Sequence, residues 1–213
     1  DALLQCFDLN GLGFACQETA QFGAARAYLK EALDLARDEH LRRGLGWAHQ
    51  NRCRLEIQSG QYELARDDSR ACVQVYQAIG DRRGTAWQMY HEGRIDRHWG
   101  DYDSAALRFE TALRQLEELG DGMGVGFCLH NLGLLKAERG DWLSAWEDYR
   151  NAQRIFESIG CQSGIAQCLH SLALLQRKSG SPRAAIPLLE SAMEMREQIS
   201  FRRGVGVSLG AYA

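Results

Sequence analysis

Apolar residues in this chain recur at spacings of three and four, in two successive bursts per forty residues. Between positions 124 and 139, Val125, Cys128, Leu129, Leu132 and Leu135 share one helical face, because a period near 3.6 lines such positions up in one stripe. After Gly140 the pattern restarts as Trp142, Ala145, Tyr149, Ala152, Phe156 and Ile159. This predicts a longer second helix of about 19 residues, roughly 28 Å at 1.5 Å per residue. Only Gly140-Asp141 separates the two patterns. Glycine can close the first helix in the left-handed conformation, and aspartate can cap the bare N–H groups of the second. Ser181-Pro182 offers a cap followed by proline at the first helical position. So short a junction forces the two helices to run antiparallel. Pro187 falls inside the last long helix, where it removes a backbone hydrogen bond.

Sliding the sequence by forty residues aligns it with itself without a gap. Gly60, Gly100, Gly140 and Gly180 form one column, with Ala20 in the same place earlier. Ala25, Ala65, Ala105, Ala145 and Ala185 form another, and Ala32, Cys72, Ala112, Ala152 and Ala192 a third. Between them runs Leu29, Ser69, Phe109, Tyr149 and Leu189. A second glycine column reads Gly44, Gly84, Gly124, Gly164 and Gly204, and a third Gly80, Gly120 and Gly160. The small residues Gly13, Cys53, Gly93, Gly133 and Ala173 of the first helices are expected to meet the alanine column of the second, where a larger side chain would hold two backbones apart. One hairpin cannot bury its apolar face, so neighbours must stack upon it. The repeats are 4–40, 44–80, 84–120, 124–160 and 164–200, with a partial one at 204–213. Both ends cut through a repeat, which is the expectation for a piece of a longer chain.

Composition narrows the function classes. The 213 residues carry 25 basic and 28 acidic side chains, a balance that speaks against a dedicated nucleic-acid binder. No stretch approaches 18 uncharged apolar residues, so none is expected to span a membrane. Seven cysteines, an odd number without a CxxC pair, suit reduced thiols and hence a cytoplasmic setting.

Leu132-Gly133 followed by Ala145, Tyr149 and Ala152 resembles the tetratricopeptide signature, and the match recurs in all five units. The resemblance implies an all-α, right-handed α-solenoid of five helix hairpins plus a half repeat. The usual repeat has 34 residues, so the extra length of this one is expected in the second helix and the loop after it. Forty-residue units with loops such as Leu119-Gly120-Asp121-Gly122-Met123-Gly124 are similar to those of bacterial signal-transduction (STAND-class) ATPases and large helix-turn-helix transcription regulators. Kinesin light chains and spindle-orientation adaptors carry similar long repeats. Arg52 and Glu92 depart from the signature, standing where it has leucine.

The resemblance places the other face of each first helix along a concave groove. That face carries Phe7, Asn10, Gly11 and Phe14, then Trp47, Gln50, Asn51 and Arg54, then Trp87, Tyr90, His91 and Arg94. The fourth unit contributes Phe127, His130, Asn131 and Leu134, and the fifth Gln167, His170, Ser171 and Leu174. Phe7, Trp47, Trp87 and Phe127 share a column; they are either ordinary core between first helices or an aromatic wall of a groove. Aromatic and arginine side chains concentrate binding energy at interfaces. In related arrays an asparagine at the Asn51 and Asn131 position holds the partner's backbone, since one amide both donates and accepts. Arg54 and Arg94, one turn on, suit a carboxylate through paired hydrogen bonds. The candidate partner-binding set is therefore Trp47, Asn51, Arg54, Trp87, Tyr90, His91, Arg94, Phe127, His130 and Asn131, centred on the second and third units.

Metal ligands on helices usually lie three or four apart, whereas His91 and His98 are seven apart and His130 and His170 occupy adjacent repeats. No metal or cofactor is expected. Cys53 and Cys72 sit in small-residue columns and read as apolar packing, and no His and Asn pattern supports a cysteine nucleophile. The expectation is a recognition module without catalysis. It would bind a protein or peptide segment, acidic or with a free carboxylate, as the sensor or regulatory arm of a larger bacterial ATPase or transcription regulator. It would touch the neighbouring domains of that parent, but neither nucleic acid nor membrane. A small-molecule-sensing domain of such a regulator, or a scaffold adaptor, is the alternative.

Overall fold

The computed structural model describes residues 1–18 and 20–198; the partial repeat expected at 204–213 lies outside them. The described residues form ten α-helices and no strand: α1 (Ala2–Glu18), α2 (Phe22–Asp38), α3 (Arg42–Gln58), α4 (Tyr62–Ile79), α5 (Arg82–His98), α6 (Tyr102–Glu118), α7 (Gly122–Glu138), α8 (Trp142–Ser158), α9 (Gln162–Lys178) and α10 (Pro182–Gln198). Consecutive helices pair as hairpins, the arrangement of an α-solenoid. The second helices are not the longer ones. Both α7 and α8 have 17 residues, so the length beyond the usual repeat is shared by both helices, and the connections within and between hairpins are alike.

Each turn is closed by one residue in the left-handed region. Gly60, Gly100, Gly140 and Gly180 take φ of 78° to 84° within hairpins, and Gly80, Gly120 and Gly160 take 65° to 69° between them. The first copy lacks both glycines, and Ala20 (φ 59°) and His40 (φ 56°) adopt the same conformation there. Aspartates open the next helices. Asp81 accepts from the Gly84 N–H (2.8 Å), Asp121 from Gly124 (3.0 Å) and Asp141 from Ser144 (3.2 Å). Proline 182 begins α10 as expected, while Pro187 is accommodated within it.

The chain divides into two compact units, Asp1–Thr111 and the residues from Ala112 onward. In the first, α1 packs on α2, α2 on α3, α3 on α4 and α4 on α5, while α1 meets α3 and α3 meets α5. Its core joins Leu9, Ala32, Leu33 and Ala48 across two hairpins, then Cys53, Ile57, Ala65 and Ile95. In the second, α7, α8, α9 and α10 stack in turn, with α7 also against α9. Tyr149 and Phe156 are the large buried rings there. The glycines of the small column meet the large side chain four residues beyond the alanine column, not the alanine itself. A β-carbon on Gly133 would lie 2.7 Å from Tyr149 Cε1, and one on Gly93 2.7 Å from Phe109 Cε1. Such distances leave room for hydrogen alone, so these glycines set how closely the helices approach.

Candidate recognition groove

In the first unit, α1, α3 and α5 each bring one face to a common surface. Phe7 and Trp47 meet edge to face, with centroids 5.1 Å apart. Each stays 38% exposed, too open for core. Asn10 is fully buried and donates to the Cys6 carbonyl (2.9 Å). Its own Oδ1 accepts from Asn51 Nδ2 at 3.3 Å. Asn51 is thus buried and ties α3 to α1, while its Oδ1 accepts no hydrogen bond among the described residues. Gln50 is engaged too, accepting from the Tyr76 hydroxyl at 2.7 Å.

The two arginines differ. Arg54 donates from Nε and Nη2 to Gln17 Oε1 (3.2 and 2.8 Å) and lies over the Phe14 ring at 4.0 Å. Arg94 makes no hydrogen bond or ion pair among the described residues, and its guanidinium sits 5.8 Å from the Tyr90 ring centre. Trp87, Tyr90 and His91 form one aromatic cluster, Trp87 edge-on to Tyr90 at 5.5 Å and Tyr90 to His91 at 5.2 Å. His91 is 3% exposed. Burial, then the positive charges of Arg94 and Arg54, hold its pKa well below the ordinary value. The imidazole is therefore neutral at pH 7, and its Nδ1 has no hydrogen-bond partner.

In the second unit the candidates serve packing. Phe127 is half-buried and meets the core residue Phe156 edge to face at 5.0 Å. His130 is buried, with Nε2 2.9 Å from Ser171 Oγ and its ring against Tyr149 at 5.3 Å. Asn131 is buried and donates to the Phe127 carbonyl at 2.9 Å.

A further cluster has no counterpart among the expected site residues. His49 Nδ1 lies 2.8 Å from Asp68 Oδ1, and Arg52 grips Asp68 through Nε (2.7 Å) and Nη2 (2.6 Å). His49 and Asp68 are both buried. Its signal was present: His49 interrupts a column of Leu9, Met89, Leu129 and Leu169, and Arg52 one with leucine in three other copies. Glu92, the other departure, accepts from Ser69 Oγ (2.7 Å) and from Arg108 Nη1. The cysteines favour packing over reactivity. Burial pushes the Cys53, Cys128 and Cys168 thiols up to about 12, so their nucleophilic thiolates are scarce near neutrality.

Stacked helix hairpins of this kind define an α-solenoid. The family model for tetratricopeptide repeats matches residues 44–118 and 127–198, and a second such model matches residues 9–39. The chain belongs to the tetratricopeptide repeat family. Among solved structures, NprR in complex with its cognate peptide NprX is similar at a TM-score of 0.86 and 15% identity, over 99% of this chain and 62% of that one. A Rap protein complexed with competence and sporulation factor gives 0.82 and 16%, over 98% and 58%. The STAND protein with a tetratricopeptide repeat sensor from Pyrococcus horikoshii gives 0.66 and 14%, over 100% and 37%. At such identities the likeness is one of fold, and this chain spans 37% to 62% of those three. The curated protein sequences contain no match. Among the described residues, no helix is long and apolar enough to cross a membrane.

Proposed function

We propose that this chain is a non-catalytic recognition module, binding a peptide or protein segment on the α1–α3–α5 face of its first unit. One observation carries the reading: Arg94 holds a guanidinium with no anionic partner among the described residues, beside a buried His91 whose Nδ1 is unsatisfied. Unused donors at a partly buried position favour an incoming carboxylate, which can take two parallel N–H bonds. Trp47 and Phe7 then offer an aromatic rim for the adjacent side chains of the segment. One of the similar solenoids above, NprR, is bound to its cognate peptide, which supports a peptide as the ligand class. The STAND protein, whose repeats are a sensor, supports a place for this chain as the sensing arm of a larger regulator.

A random peptide library with free C-termini, selected on the wild-type chain and on Arg94→Glu, tests this. We expect enriched sequences that lose at least tenfold in affinity for the variant, since a charge-assisted bond is worth about 1.5–3 kcal/mol. The melting temperature should not change, because Arg94 holds no structural hydrogen bond or ion pair. Equal binding by both chains would place recognition elsewhere, and enrichment by neither would remove the peptide reading.

A further inference from the structure

On the side formed by the second helices, α4 and α6 border a crevice of about 330 Å³ floored by α5. Three arginines line it: Arg66 and Arg70 from α4, and Arg108 from α6. Its floor holds Glu92 and Asp96, and Asp101 and Ser104 stand where α6 begins.

Donors and acceptors in this crevice are out of balance. All four oxygens of Glu92 and Asp96 already receive a donor. Ser69 Oγ and Arg108 Nη1 reach Glu92, while Arg66 Nη2 (3.3 Å) and Arg108 Nε (2.5 Å) reach Asp96. Asp101 accepts from the Ser104 N–H at 3.1 Å. A guanidinium carries five N–H donors. Arg66 uses one and otherwise lies over the Trp99 ring at 3.7 Å. Arg70 uses one, in a 3.5 Å contact to the exposed Asp67, and Arg108 uses two. The wall therefore retains many free N–H groups and few free acceptors. The lining charges balance, three arginines against Glu92, Asp96 and Asp101, so the free N–H groups are what the wall offers to a ligand.

We propose that this crevice binds a small phosphorylated metabolite through its phosphate group. Several unused N–H donors from two helices match the three or more acceptor oxygens of a phosphate monoester. A volume of about 330 Å³ lies at the lower end of the small-ligand range and leaves space beyond the phosphate for a short organic group. Arg66 and Arg108 are preset, one against Trp99 and the other by its two carboxylates. Arg70 is the mobile member, free to leave Asp67 and close over the anion.

The experiment is a calorimetric titration of the chain at constant ionic strength with inorganic phosphate, glycerol phosphate and glycerol, repeated on Arg70→Ala. Saturable binding of glycerol phosphate, weaker binding of phosphate, none of glycerol, and at least a fivefold loss in Arg70→Ala is the expected result. Arg70 is exposed and holds only one long surface pair, so this variant should melt as the parent does. Arg94→Glu serves as a second variant and should bind glycerol phosphate unchanged, which separates this crevice from the groove. Absence of saturable binding, or equal binding by the parent and Arg70→Ala, overturns the proposal. Saturation by inorganic phosphate with no gain for the ester overturns its metabolite part.

Discussion

His40 is a residue in a glycine's place. It occupies the column of Gly80, Gly120 and Gly160 and shares their left-handed backbone, with φ 56° against 65° to 69°. Its side chain is exposed and makes no hydrogen bond among the described residues, so little except the conformation of the backbone holds it there. A β-carbon in this region costs about 1–2 kcal/mol. Replacing it by glycine removes that strain, while the greater freedom of glycine in the unfolded chain returns about 0.5–1 kcal/mol of the gain. His40→Gly should therefore stabilise by roughly 0.5–1 kcal/mol, a rise of about 1–4 °C in melting temperature for a chain of this length. Gly80→Ala is the mirror experiment. At φ 69° a β-carbon there would meet nothing within 4 Å, so its cost is conformational alone, with a similar size and opposite sign. Thermal unfolding followed by circular dichroism at 222 nm reads both. If His40→Gly melts no higher than the parent and Gly80→Ala no lower, left-handed strain is not what chose glycine for these turns.

Other substitutions test the packing and the ionisation. Gly133→Ala sets a β-carbon 2.7 Å from Tyr149, an overpacking of about 1–3 kcal/mol offset by about 1 kcal/mol of helix propensity; its urea midpoint should fall. Gly11→Ala, where a β-carbon meets nothing within 4 Å, should stabilise by up to about 1 kcal/mol and so raise the midpoint, and a reversed order of the two would refute the assigned approach of α7 and α8. Ala145→Leu, at a fully buried position, should cost about 1–3 kcal/mol by the same wedge, and a melt like the parent's would show the repeat register to be wrong. Burial, and then Arg196, lower the His170 pKa to about 4. Its neutral form thus supports the fold fully above about pH 6.5, and that support is lost as pH falls from 6.5 towards 4, roughly 3 kcal/mol in all. A His170→Gln chain should lose less stability over that interval, and parallel pH profiles for the two chains would contradict this.

Much of the fold was legible because packing at a hairpin crossing is unforgiving. Gly93 and Gly133 repeat in register since Phe109 and Tyr149 leave no volume for a β-carbon. The turn glycines repeat because the backbone there is left-handed. Helix length was less legible. Glycines 84, 124 and 164 resemble punctuation in the sequence, yet they lie in the first turns of α5, α7 and α9. They are glycine because Tyr76, Leu116 and Phe156 press against them. A close approach and a helix break call for the same residue, and the pattern alone does not separate them. For the groove, the periodicity grouped side chains by face on α3 and α5 but did not give the fate of each one. Asn51 and Asn131 share a column, yet one bonds Asn10 on the neighbouring first helix and the other its own Phe127 carbonyl. Phe127 shares a column with the exposed Trp47, but Phe156 provides it with a core partner. Such differences arise from the residues opposite, which a single column does not contain.

The departures at Arg52 and Glu92 have one physical explanation. Most tetratricopeptide hairpins hold this crossing with leucine, an interaction without direction or register. Here Arg52 reaches Asp68 sixteen residues on, and Glu92 reaches Arg108 across the same interval with the charges exchanged. The exchange repeats one turn along, where Asp96 pairs with Arg108 and, within the second unit, Lys136 pairs with Asp148 at 2.7 Å. A hairpin paired with the second helix of the next copy would set Arg52 against Arg108, and the reverse slip would set Glu92 against Asp68. Forty-residue repeats that share their apolar columns are exposed to such slips while they fold, because those columns alone match in every register. Like charges at a partly buried crossing penalise the slipped state far more than the correct pairs stabilise the native one, since the gain of a pair is largely cancelled by desolvation. Exchanging both members, as Arg52→Asp with Asp68→Arg, should therefore give a chain more stable than either change alone, although the bond between His49 and Asp68 is lost with Asp68. If the double variant is no more stable than the weaker single one, the pairs are not acting through charge, and this account of the two departures fails.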